Sequence, residues 1–141
     1  MKDNGLMTID SNGTTPETLA RLAQAIEKTG MTILARVDHA AAAHASNLPL
    51  RPTEVFIFGN PRAGTPLMQL DQRVGIDLPI KVLVWEDECG KTKVSYNTIS
   101  WIASRHDLGP STEAVVKAMT AAIETVVAEA AARPVQANPA F

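Results

Sequence analysis

The sequence is poor in cysteine, has almost no net charge and carries no long apolar run. Its single cysteine, Cys89, excludes an intrachain disulfide and suits a reducing compartment. Lys and Arg number 13 against 15 Asp and Glu, a formal charge of −2, so no bulk field draws the chain to nucleic acid. No stretch approaches the roughly 18 apolar residues of a membrane span, and the opening MKDNGLMTIDSNG lacks the apolar centre of a signal peptide. No internal repeat and no long low-complexity segment is present, only an alanine-rich C-terminal quarter. These absences predict a soluble cytoplasmic domain with neither nucleic acid nor membrane among its partners.

What is present suits one compact fold. The chain has 141 residues, 45% of them hydrophobic and 20% charged, too apolar for a disordered segment. A domain of this length buries roughly two-thirds of its unfolded surface and needs no metal or disulfide staple. The reading is one domain over residues 1–133 with a flexible C-terminal tail, 134–141, beyond Pro134.

Periodicity divides the domain into elements. Leu6 to Ile9 predicts a short strand. Thr14-Thr15-Pro16-Glu17 opens a helix, with the Thr15 hydroxyl accepting from free amides, and Leu19, Leu22, Ala23 and Ile26 form its apolar stripe up to Gly30. Met31 to Asp38 alternates, placing Met31, Ile33, Ala35 and Val37 on one face and Arg36 and Asp38 on the other. Asp38 also caps a short helix from His39. Thr53 to Phe58 is a strand whose unbroken apolar run Val55-Phe56-Ile57-Phe58 suggests cover on both faces. Gly59 to Gly64 reads as a loop, and Thr65-Pro66 as a helix start.

Ile80 to Glu86 and Thr92 to Tyr96 form a hairpin. With Cys89-Gly90 as a two-residue turn, Trp85 faces Val94, and Leu83, Trp85, Val94 and Tyr96 share one sheet face. Thr98 to His106 is a short helix, and a last one runs from Pro110-Ser111-Thr112-Glu113 to about Arg133. The predicted class is α+β, a largely antiparallel sheet backed by helices.

Several chemistries are excluded. His39 and His44 are five apart, about 140° around a helix, and no His-Glu-x-x-His or Cys-x-x-Cys occurs, so no metal and no cofactor is expected. The loop Gly59-Asn60-Pro61-Arg62-Ala63-Gly64-Thr65 has Thr65 where a phosphate loop has lysine, and Pro66 removes an amide donor. A small-anion site built on Arg62 is a weaker version of that reading. Cys89 lies among Glu86, Asp87 and Glu88, an acidic setting unsuited to a nucleophilic thiolate.

The more informative feature is Asp38-His39 together with Arg51-Pro52-Thr53-Glu54. Glu54 shares its strand face with Phe56 and Phe58, and a carboxylate at an apolar edge needs a cation. Arg36 or Arg51 supplies one, as an ion-pair network or as part of a pocket in which an arginine holds an anion and His39 moves protons.

The segments Val37-Asp38-His39-Ala40-Ala41, Leu50-Arg51-Pro52-Thr53-Glu54, Phe58 to Met68, Asp77-Leu78-Pro79 and Val84-Trp85-Glu86-Asp87 resemble a widespread bacterial family, domain of unknown function number three hundred and two. Ser95-Tyr96-Asn97 and Trp101 to His106 extend the similarity to roughly residues 5–125. The resemblance implies a curved, largely antiparallel sheet with helices packed on one face, similar to the β-α-β4-α plan of TATA-binding-protein-like domains. It also implies self-association and brings no reaction. Positions matching its polar motif are Asp38, His39, Arg51, Glu54, Asn60, Glu86, Tyr96 and His106.

The sequence therefore predicts a homodimeric module for a small ligand or anion, with Arg36, Asp38, His39, Arg51, Glu54, Trp85, Glu86 and Tyr96 around the site. Two alternatives stand beside it: an enzyme using His39 as acid/base with Glu54 or Glu86 as partner, and a structural or partner-binding module docking through its alanine-rich last helix.

Overall fold

The computed structural model describes residues 3–133, so the expected tail at 134–141 lies outside the described residues. The elements are β1 (Leu6–Asp10), α1 (Thr15–Lys28), β2 (Thr32–Asp38), α2 (His39–Ala45), β3 (Thr53–Gly59), α3 (Pro61–Leu70), β4 (Ile80–Glu86), β5 (Thr92–Asn97), α4 (Ile99–Arg105) and α5 (Glu113–Ala130). A 3₁₀ segment at Gln72–Ile76 follows α3, and another at Pro110–Thr112 leads into α5. The five strands form one antiparallel sheet in the order β1-β5-β4-β3-β2. The fold is the expected α+β plan.

Pleating sorts the side chains. Phe56 and Phe58 of β3, Val82 and Val84 of β4 and Val94 of β5 are completely buried, and they share one core with Leu22 and Ile26 of α1, Leu67 of α3 and Ile123 and Val126 of α5. Burying a side chain such as Phe56 or Ile123 is worth about 1.5–3 kcal/mol each. The opposite face carries no helical layer among the described residues. There Val55 and Ile57 are only half-buried, so the apolar run of β3 is covered on one side and not on both.

Several local readings are corrected by competing geometry. Thr14, not Thr15, caps α1: its hydroxyl accepts the Glu17 amide at 3.2 Å and Glu17 accepts the Thr14 amide at 2.9 Å. A glutamate three residues past the cap makes this reciprocal pair possible at Thr14 alone. Thr15 is instead buried, its hydroxyl 3.0 Å from that of Thr92. The cap-then-proline signal occurs twice around residue 60, and the earlier copy starts α3: Asn60 Oδ1 accepts the Arg62 amide at 2.9 Å, turning the expected loop into helix. The last helix closes before Arg133. Ala132 adopts φ +54°, and the amides of Arg133 and Ala132 return to Ala128 and Glu129, a Schellman closure.

Two corrections decide which side chains meet. The β4–β5 turn holds three residues, not two: the Asp87 amide reaches the Lys91 carbonyl, and Gly90 takes φ +80°. Asp87 Oδ1 accepts the Cys89 and Lys91 amides, both at 2.9 Å, stabilising that longer turn. Trp85 therefore pairs with Lys93 and Val84 with Val94. A one-residue register change moves a side chain to the other face, so Trp85 and Tyr96 lie on opposite faces and the expected aromatic patch does not form. In β2 a bulge sits between Ile33 and Ala35. Ile33 and Arg36 consequently share the core face, while Ala35 and Val37 turn to the open one.

Candidate functional site

The residues singled out by sequence converge in part. At the C-terminal end of β2, Arg36 Nε donates to Glu54 Oε2 at 2.8 Å. The guanidinium lies 4.3 Å from the Phe56 ring centre, and the Glu54 side chain is only 13% exposed. This is a charge-assisted pair with a cation–π contact beneath it. Asp38 pairs with Glu54 in the β2–β3 register and caps α2 through the Ala41 amide at 2.9 Å. Asp38 and Glu54, with Thr15, Leu19, Ala40 and His44, line a hollow of about 230 Å³.

Others go elsewhere. Arg51 donates to the Glu86 carbonyl oxygen at 3.2 Å and does not form the expected ion pair with Glu54. His39 is exposed at the start of α2 and has no side-chain hydrogen bond among the described residues. A carboxylate-oriented His39 is therefore not what this geometry provides. Trp85 Nε1 donates to Ser95 Oγ at 2.9 Å on the open face. Tyr96 is buried on the helical side, where burial and the Glu124 charge push its phenol above the usual value of 10.

A second centre, missed as an ensemble, lies at the other end of the sheet. His106, which follows α4, places Nε2 2.6 Å from Asp77 Oδ2. Arg105 Nη1 donates to both oxygens of the same carboxylate, at 2.9 and 3.0 Å. The His106 and Asp77 side chains are 9% and 12% exposed, and that of Arg105 is half-exposed. Beside them Arg73 grips Asp71 through two bonds, of 3.0 and 2.9 Å. That grip holds the Asp71 carboxyl down at about 2, aided by the Arg73 amide and more weakly by the His106 charge. Gln72, Arg73, Gly75, Ile76, Arg105 and His106 line a hollow of about 560 Å³.

This arrangement has definite chemistry. Asp77, as a carboxylate, accepts from the ring, so Nε2 of His106 bears a proton and Nδ1 is the nitrogen left to meet a ligand. Two guanidiniums add planar donors suited to an oxyanion. The ring is held by a chain 29 residues away in sequence, so no local spacing announced the pair. The only signals were Arg105-His106 at a helix end and an isolated Asp77 before Leu78-Pro79. Arg62, the anion candidate of the sequence reading, lies in α3, where Asn60 already occupies its amide. Among the described residues no group of three His, Cys, Asp or Glu side chains is arranged to hold a metal ion.

Fold and site together define an open-faced α+β domain with an arginine- and histidine-lined hollow at one end of its sheet. The chain belongs to the family described as domain of unknown function DUF302, whose model matches residues 7–126. An uncharacterized conserved DUF302 protein from Bacillus stearothermophilus has the same fold, with TM-score 0.80 and 17% identity over 91% of this chain and 99% of that one. Among curated proteins, fluoride-specific ion channel FluC 1 of Brucella suis biovar 1 (strain 1330) is 45% identical over 129 residues, 92% of this chain and 51% of that protein. FluC 2 of Brucella melitensis biotype 1 is likewise 45% identical over 129 residues, covering 48% of its length. The chain thus spans about half the length of these relatives. No helix among its described residues is long and apolar enough to cross a membrane.

Proposed function

We propose that this chain is a binding module for a small anion, and that the anion seats in the hollow lined by Arg73, Arg105 and His106. The supporting observation is the convergence of two guanidiniums and one imidazole on a single hollow of about 560 Å³. Each cation is already braced by a carboxylate, Asp71 or Asp77, so its position is set before a ligand arrives and less ordering entropy is lost on binding. The names of the Brucella relatives bring fluoride forward as one anion to try. Those names describe whole proteins, half of which lies outside the match. The exposed, unpaired Cys89 supports a reducing, cytoplasmic setting.

The test is calorimetric titration of the full chain with fluoride, chloride, sulfate and phosphate, paired with amide chemical-shift mapping. The expected result is saturable binding of at least one anion, with shifts at Arg73, Arg105 and His106 and loss of binding in Arg105→Gln. An absence of shifts there with every anion overturns the reading.

The 2.6 Å His106–Asp77 contact favours a second reading, acid–base catalysis by His106. It takes over the role that the sequence gave to His39. Turnover of small phosphate or carboxylate esters by the parent, abolished in His106→Asn, supports it. Turnover unchanged in that variant refutes it.

A further inference from the structure

The side of the sheet away from the helices presents a continuous apolar panel. Val37, Val55 and Leu83 stand in one cross-strand row, since Val37 pairs with Val55 and Val55 with Leu83. Ala35 and Ile57 flank that row on one side and Trp85 on the other. None of the six belongs to the hydrophobic core or packs against it, and Val37 is 39% exposed. The row continues into a polar half: Leu83 pairs with Ser95, whose hydroxyl is 2.7 Å from that of Thr8. An apolar panel on the middle of a sheet, with no layer over it, is the signature of an interaction surface.

We propose that this face is the surface through which two copies of the chain associate, sheet against sheet. Three observations single out a second copy as the occupant. First, the face is self-complementary: a two-fold axis running across the strands lays apolar half on apolar half and polar half on polar half. Second, its size suffices. Five strands about 4.8 Å apart and five to seven residues long present roughly 500 Å² in projection, so two faces bury about 1,000 Å², the threshold of a specific interface. Third, its charge fits no polyanion. The lysines of the face are Lys81, whose ammonium is bonded to the Pro79 carbonyl, and Lys93, paired with Asp10 and near Asp87. A nucleic acid or an acidic lipid surface needs a field of free cations. Packed sheets sit about 10 Å apart at a crossing near 30°, and Trp85, braced by Ser95, would then be covered on its second face.

The test is sedimentation equilibrium of the full chain together with two open-face variants. The parent is expected to be a dimer. Val55→Glu is expected to be a monomer whose circular dichroism matches the parent, because Val55 lies outside the buried core and the side chains packed on it. Val55→Thr keeps the shape and strand preference while adding a hydroxyl to each copy, and weakens the dimer by about tenfold or more, since each hydroxyl must be dried. A monomeric parent overturns the proposal, as does a dimer of undiminished affinity in folded Val55→Thr. Anion binding is read at Arg105, on the helical side, so either reading can fail without the other.

Discussion

Replacing Asp77 by asparagine separates what the carboxylate does for the fold from what it does to the hollow. Its side chain is 12% exposed and accepts three contacts within 3.0 Å, two from Arg105 and one from His106. The Arg105 pairs are half in water and are worth little. The nearly buried bond to His106 carries most of the effect. A hydrogen bond to a charged partner contributes about 1.5–3 kcal/mol, and an asparagine carbonyl still accepts, so the expected loss is about 1–2 kcal/mol. For a domain of 141 residues that lowers the thermal midpoint by about 3–7 °C. Calorimetric melting of the parent, Asp77→Asn, His106→Asn and the double variant checks it, and the two losses are expected to fall short of additivity because the residues share one bond. The same substitution removes a negative charge that competes for Arg105, so anion affinity is expected to rise while stability falls. An unchanged midpoint, or strictly additive losses, refutes the claim that this contact holds the site.

Two further predictions follow from the described geometry. Thr14→Ala removes the cap of α1 and the reciprocal bond to Glu17; chemical unfolding is expected to show a loss of about 1 kcal/mol with an unchanged denaturant slope. Tyr96 is the only tyrosine, so phenolate absorbance reports it alone. Because burial raises its folded value above 10, the unfolded chain releases that proton first, and stability present below pH 10 declines as pH rises from there toward the folded value. Titration of native and denatured protein is expected to show the native midpoint higher; coincident midpoints contradict the burial.

Local patterns settled most of the architecture because they depend on neighbours in the chain. The Thr14–Glu17 spacing, the stripe Leu19 to Ile26 and the alternation of β4 each identify an element without knowledge of its partners. The charge partner of Glu54 was also legible: a carboxylate on the face of Phe56 and Phe58 needs a cation, and Arg36 provides it. Errors arose where one residue of backbone decided the outcome. The three-residue turn at Gly90 sent Trp85 and Tyr96 to opposite faces, and the bulge at Leu34 split an apolar stripe that looked continuous. The alanine-rich last helix, expected to dock a partner, buries Ala128, Ala130 and Ala131 within the chain itself, where α5 packs on α1, and leaves Ala114, Ala118 and Ala121 exposed.

The sequence by itself determined the elements, their polarity and the need of Glu54 for a cation, since these follow from the spacing of side chains along a helix or strand and from the energy of drying a charge. Only the tertiary structure decided that Asp77, Arg105 and His106 share one bond network and that β2, β3 and β4 leave an apolar face open. Contacts between residues distant in the chain are fixed by register and by the side of the sheet on which helices land. No short stretch of sequence encodes either.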